Sequence, residues 1–320
     1  MFYSAVFGIV SAMVGAGFAS GREILCFFSR YGRLSWALAA LAAGFMGTLI
    51  ARLMQDQPVA PDAKTAGIGK LFLLPLYMAA GGAMTAAAGE LAALTLPLHH
   101  ARGLGGLLTL CAGVLIARKP VAALGVMGKI LVPLLLLAFF FCLRIPVETA
   151  ADLSPVPNPF AALAQLAGYC GLNVTLSAGV IREAGRSCAP GDKKRLSLYT
   201  GILIGLLLCA GNAALLPHAA SLRSAALPVV ALLRAYGKAG YSLSAVLLYL
   251  AVLSTLAAIL RTMGGLLPRR IKKPGLWAGL LCAFSSFIGF ESIVGLAYPV
   301  LGWLGILLIF GLMNRIPFGW

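Results

Sequence analysis

Val14-Gly15-Ala16-Gly17-Phe18-Ala19-Ser20-Gly21 interrupts an apolar run that starts at residue 2. Glycine costs about 1 kcal/mol in a helix interior relative to alanine, so closely spaced glycines in mid-run invite unwinding. A second interruption, Gly168-Tyr169-Cys170-Gly171-Leu172-Asn173, stands inside the run 158–181. Unwound backbone is tolerated at membrane depth only where protein or a watery cavity satisfies its amides. Gly17-x-x-x-Gly21 is also a small-xxx-small packing face, so the first stretch alone leaves packing and binding open. Breaks at matching positions in two halves of a chain are a pointer to a transporter binding site.

The surroundings of these breaks are lipid. Of 320 residues, 61% are hydrophobic and 11% charged, against about 45–50% and about 25% in soluble domains. Mean hydropathy is +0.96. Too few polar side chains exist to coat a soluble globule, which excludes a secreted disulfide scaffold, a disordered tail and an ordinary soluble enzyme. A helical span takes about 20 apolar residues. Reading apolar runs between charges and turn residues gives ten spans: 2–20, 34–54, 71–98, 103–117, 121–143, 158–181, 196–217, 240–263, 275–290 and 292–313. The expectation is an all-α polytopic membrane protein forming a single transmembrane domain, with halves at about 1–150 and 155–320. Spans 1 and 6 open the two halves. The apolar N-terminus lacks a basic leader and reads as the first span.

Basic residues test the count. With the N-terminus inside, sixteen Lys/Arg fall in inner connections and eight in outer ones, and Lys129 lies within a span. That excess places both termini in the cytoplasm. The net charge of +16 is spread over short connections, the pattern of membrane orientation and not of nucleic-acid binding. Residues 218–239 lie outside between spans 7 and 8. Their LPVVALLRAYG run is too short to cross, and reads as an interfacial helix or a lid over an outer vestibule.

Polar groups inside spans are expensive, about 2.5–3.5 kcal/mol for a charge. Glu90 falls well inside span 3 and reads as a proton carrier, a partner for a cationic group, or a neutral acid bonded to a neighbour. Lys129 is nine residues beyond Pro120, about 13 Å into span 5, and pairs naturally with Glu90. Its alternative is to snorkel to the inner surface. Ala251, Ser254 and Thr255 share one face of span 8 and offer a carbonyl and two hydroxyls, oxygen ligands suited to a small hard cation. Ser and Thr also bond back to their own helix. Glu291 reads as a solvated loop charge, and His99, His100 and His218 sit at span ends without a carboxylate cluster. The seven cysteines form no CxxC pair, so neither a disulfide nor a metal site is expected.

GAGFASGREILCFFSRYG (15–32) resembles the opening signature of the YkvI-type bacterial membrane proteins, relatives of the amino acid–polyamine–cation superfamily with the leucine-transporter fold. Tyr169-x-x-x-Asn173 and GFESIVGLAYPVLGWLG (289–305) agree with it. The resemblance implies a 5+5 inverted repeat with broken helices 1 and 6, in a bacterial cytoplasmic membrane. Substrate would lie against Gly15, Ala16, Gly17, Phe18, Gly168, Tyr169, Cys170, Gly171 and Asn173, with Phe18 and Tyr169 as gates. It also implies that the 251/254/255 face meets the Ser11 and Val14 carbonyls around a coupling ion, while proton-coupled relatives carry a Lys where Lys129 stands. Both features together leave Na+ against H+ open. Half-helix N-termini at the breaks would face a carboxylate, and free carbonyls with the Asn173 amide an ammonium.

The function expected is cation-coupled secondary transport of an amino acid or similar small organic solute, with no cofactor beyond the coupling ion. The alternative is a ligand-binding sensor subunit on the same fold. A membrane enzyme would need a dense polar cluster and a channel repeated polar rings; neither is present.

Overall fold

The computed structural model describes residues 2–55, 63–95, 98–147, 158–189, 191–268, 270–287 and 302–307, with side chains from 73 onward in the second of these segments. Thirteen α-helices cover most of this: α1 (Phe2–Met13), α2 (Ala16–Ala19), α3 (Arg22–Phe27), α4 (Leu34–Leu53), α5 (Ala63–Thr95), α6 (Ala101–Ala117), α7 (Val121–Leu143), α8 (Pro159–Leu176), α9 (Ala178–Ser187), α10 (Asp192–Leu215), α11 (Pro228–Leu233), α12 (Gly237–Leu266) and α13 (Pro274–Ser286). No strand occurs among the described residues.

Four described stretches, Leu34–Leu53, Val121–Leu143, Asp192–His218 and Pro228–Leu266, are long and apolar enough to cross a membrane. The chain is a multi-pass membrane protein. Its exposed side chains are apolar, as a lipid-facing surface requires: Leu107, Leu108, Leu115, Val126, Ile130 and Leu280 are each about half exposed or more. Span 3 starts earlier than its hydropathy indicates, because helix continues back to Ala63. Span 10 and Glu291 lie largely outside the described residues; 302–307 is helical.

Span 1 is broken where its glycines stand. The Gly15 N–H turns back to the Met13 carbonyl at 3.0 Å, and Gly15 is extended, with ψ −174°. One turn of α2 follows. Gly21 then takes φ +81°, a left-handed value that costs other residues about 1–2 kcal/mol, and starts α3 in a new direction.

Span 6 breaks elsewhere than expected. Residues 168–173 are continuous helix, and the interruption falls at Ser177, between α8 and α9. Gly168 and Gly171 serve packing: a Cβ on Gly171 would strike the Gly302 carbonyl, and Gly302 itself lies against the Gly168 carbonyl. Close backbone approach through small residues is how membrane helices associate, and it outweighs glycine's local cost here.

The same device seats α1 on α7. Cβ atoms on Gly125 and Gly128 would run into the Ser4 and Phe7 carbonyls. Those obstacles are backbone and cannot swing aside. Gly128→Val is therefore expected to destabilise the protein by about 1–3 kcal/mol, the range for overpacking. Gly44→Ala, with open space around the added methyl, should stay within about 0.5 kcal/mol. Thermal unfolding in detergent compares the two.

Candidate functional site

A broken helix leaves carbonyls without their i+4 donors. At the end of α1 those carbonyls are met from α12. Ser254 Oγ donates to Ser11 O at 2.8 Å and lies 3.1 Å from Ala251 O. Thr255 Oγ1 lies 3.3 Å from both Ala12 O and Val14 O. Ser11, Val14, Ala251, Ser254 and Thr255 thus converge, and Ala12 joins them. Ser254 and Thr255 are buried. Four main-chain carbonyls are gathered around two hydroxyls, and the hydroxyls can either donate to the carbonyls or turn to present lone pairs to a cation.

Beyond the break lies a cavity of about 330 Å³. Ala16 and Gly17 of α2 form one wall, Leu91 and Leu94 of α5 another, and Leu248 and Val252 of α12 a third. Ala226 and Leu227, from the 218–239 segment, form part of its wall. The hold of that segment on the broken helix is specific. The Val229 N–H donates to Ser20 O at 2.8 Å. Arg22 Nη1 donates to Arg223 O and Ala225 O at 3.0 and 3.1 Å. The Gly21 turn packs against Leu215 and Val229, leaving no room for a side chain.

The two interrupted helices meet beside this cavity. The Tyr169 ring of α8 lies 5.0 Å from Phe27 and 5.3 Å from Phe28. The Tyr169 hydroxyl shares a hydrogen bond with the Glu23 carboxyl. Asn173 Nδ2 donates to Tyr169 O at 3.0 Å. Phe18, Tyr169 and Asn173 line a much smaller void with Met13, Val14 and Met46. Of the span 6 residues expected at the site, Tyr169 and Asn173 face the break. Gly168 and Gly171 pack on 302–306, and Cys170 Sγ lies 3.9 Å from Ala42 O.

The expected Glu90–Lys129 pair does not form. Glu90 sits exposed at the cavity rim and forms an ion pair with Arg102 at 2.8 Å. Lys129 is exposed on the outer face of α7, because its neighbour Gly128 is the residue turned toward α1. Neither reaches the oxygen cluster.

The opposite end of α12 is tied down. Arg261 stands 24 residues beyond Gly237, about 36 Å along the helix. Its Nε donates to Glu183 Oε2 of α9 at 2.5 Å, and its Nη1 to the Ala117 and Lys119 carbonyls of the α6–α7 turn. The Val121 N–H reaches Glu183 Oε1 at 3.3 Å. Sequence spacing alone singles out none of Arg261, Glu183, Arg22 and Glu23 as a site residue. The signal for Glu23 was its place inside the glycine-rich signature.

No protein-family model matches the chain. It is 24% identical over 327 residues to the Uncharacterized protein YyaD of Bacillus subtilis, covering 94% of this chain and 93% of that protein. The solved Eremococcus coleocola manganese transporter, in complex with an aromatic bis-isothiourea substituted compound, superposes with a TM-score of 0.58 at 15% identity, over 98% of this chain and 72% of that one. A histidine-to-alanine mutant of that transporter gives 0.58 at 14% identity, over 96% and 76%. The fold is shared with a membrane transporter.

Arg22 is the pin that joins α3 to the 218–239 segment. Arg22→Ala removes two charge-assisted hydrogen bonds, which are worth more than neutral ones. Amide exchange of residues 223–229 is expected to quicken about tenfold, with α12 amides unchanged. Mass-resolved hydrogen exchange reads both.

Proposed function

We propose that the chain is a secondary active transporter that moves an amino acid or similar small organic solute, driven by a coupling cation, through alternating access. One observation carries this reading. A helix broken at Gly15 places an oxygen cluster on one side of the break and a largely apolar cavity on the other, walled by α2, α3, α5 and α12, and the second interrupted helix touches the first beside it.

Each part has a role in such a cycle. The Ser11, Ala12 and Val14 carbonyls with Ser254 and Thr255 hold the coupling ion, replacing its water with hard oxygen ligands. An ion there favours the geometry in which α1 and α12 stay in register, because it needs oxygens from both. Solute lies in the cavity against α2, its ordering coupled to the ion through the shared break. The 218–239 segment is the outer lid, and the Arg261–Glu183 cluster closes the inner end. Sixteen basic residues on inner connections support a bacterial cytoplasmic membrane with both termini inside. A 5+5 inverted repeat, with α1/α2 and α8/α9 as corresponding interrupted helices, agrees with these placements.

The fold neighbour's printed cargo is manganese. Among the described residues no three His, Cys, Asp or Glu side chains converge to hold a metal ion, and the cavity wall is dominated by Ala, Leu, Val and Phe. Those surfaces suit an organic body over a bare transition-metal ion.

Uptake of labelled amino acids into proteoliposomes under imposed Na+ or H+ gradients tests the reading. Gradient-driven accumulation is expected for at least one solute. Ser254→Ala/Thr255→Val should lower it at least about tenfold, and Lys129→Gln should leave it near the starting level. Solute binding without gradient-driven uptake would overturn transport and favour a sensor.

A further inference from the structure

Glu23 is the one acidic side chain that lines the cavity without an ionic partner among the described residues. Its carboxyl lies against α2 where Gly17 has no Cβ; a methyl there would overlap it. One oxygen side of the group is engaged by the Tyr169 hydroxyl. The other oxygen, Oε2, is shielded from solvent and has no hydrogen-bond partner. The charged groups around it are committed elsewhere. Arg22, on the same helix, bonds the Arg223 and Ala225 carbonyls. Glu90 on α5 is paired with Arg102 of α6. From α8 comes only Tyr169, and Cys26 lies one turn along α3.

A bare carboxylate oxygen in such a place is uncompensated, and an unpaired buried charge is far costlier than a neutral acid. We infer that Glu23 is a proton-exchanging site of this cavity, holding a proton on Oε2 in the conformation described and releasing it to cavity water when that oxygen is hydrated or meets a cationic group. The balance is simple: the acid O–H breaks, the proton leaves as hydrated H+, and the carboxylate keeps the electron pair. Protonated, Glu23 carries a donor on Oε2 and accepts from Tyr169 on the other oxygen; ionised, it can accept at both oxygens. Proton occupancy therefore bears on the contact that joins the two interrupted helices. This role deepens the transport reading and rests on it, although the site itself can be detected without any flux.

Cys26 supplies the detector. Glu23 and Cys26 are three apart on α3, so their Cβ atoms lie about 5–6 Å apart, and both line the cavity. In a variant keeping Cys26 as its sole cysteine, labelling rates are compared for a trimethylammonium and a sulfonate methanethiosulfonate reagent. The ratio of the two cancels the thiol's own ionisation. It is expected to rise about tenfold between about pH 5 and about pH 9, the effect of one nearby charge on probes of opposite sign. In Glu23→Gln the ratio should stay flat. A flat ratio in the protein retaining Glu23 overturns the inference, and needs no second variant to do so. An equal rise in Glu23→Gln also overturns it. A pH-dependent ratio lost in Glu23→Gln, with no uptake of any solute, would support the proton site while contradicting transport.

Discussion

A helix that stops inside a bilayer has to find partners for the carbonyls it frees, because lipid offers none. Here the partners are two hydroxyls on a neighbouring helix. Ser254 and Thr255 reach the Ser11, Ala12 and Val14 carbonyls, and this lets span 1 turn at Gly15 without leaving its polar groups stranded. Everything else at the site follows from that turn. It directs α2 along the cavity wall, sets the Gly21 corner under the 218–239 segment, and delivers Glu23 to Tyr169.

Position along α12 orders the functional parts. Leu248 and Val252 wall the cavity, Ser254 and Thr255 meet the break just below, and Arg261 locks onto Glu183 about two turns farther on. A helix is stiff over this distance, so a change in its register at the break moves both ends together. With a cavity toward one end of α12 and a tied cluster toward the other, the molecule has the asymmetry on which the proposed alternating access rests.

The apolar runs of the sequence were sufficient for the all-helical membrane fold, because lipid forces long apolar segments to be helices. The break in span 1 was legible from glycine spacing and the Ala251/Ser254/Thr255 face from helical periodicity, while the meeting of that face with Ser11 and Val14 came only from the family resemblance. Other features depend on packing partners that one-dimensional spacing does not show. Gly168 and Gly171 look like a break but let 302–306 approach, while the real interruption at Ser177 carries no glycine. Lys129 and Glu90 sit at plausible depths, yet depth says nothing about which way a side chain points: Lys129 turns outward, and Glu90 pairs with Arg102 at the cavity rim. Glu23 stands just past the Gly21 turn, and only the packing that brings it against Tyr169 and the cavity marks it as a site residue.

Crosslinking tests the broken helix most directly. An ideal Cβ on Gly15 lies 4.0 Å from Thr255 Cβ, inside the separation a disulfide spans. Gly15→Cys/Thr255→Cys, in a background without other cysteines, should form that bond under mild oxidation in native membranes. Failure to crosslink in correctly inserted protein, with both thiols still open to alkylation, would mean that span 1 does not turn against α12 at Gly15, and the site built on that turn would not exist.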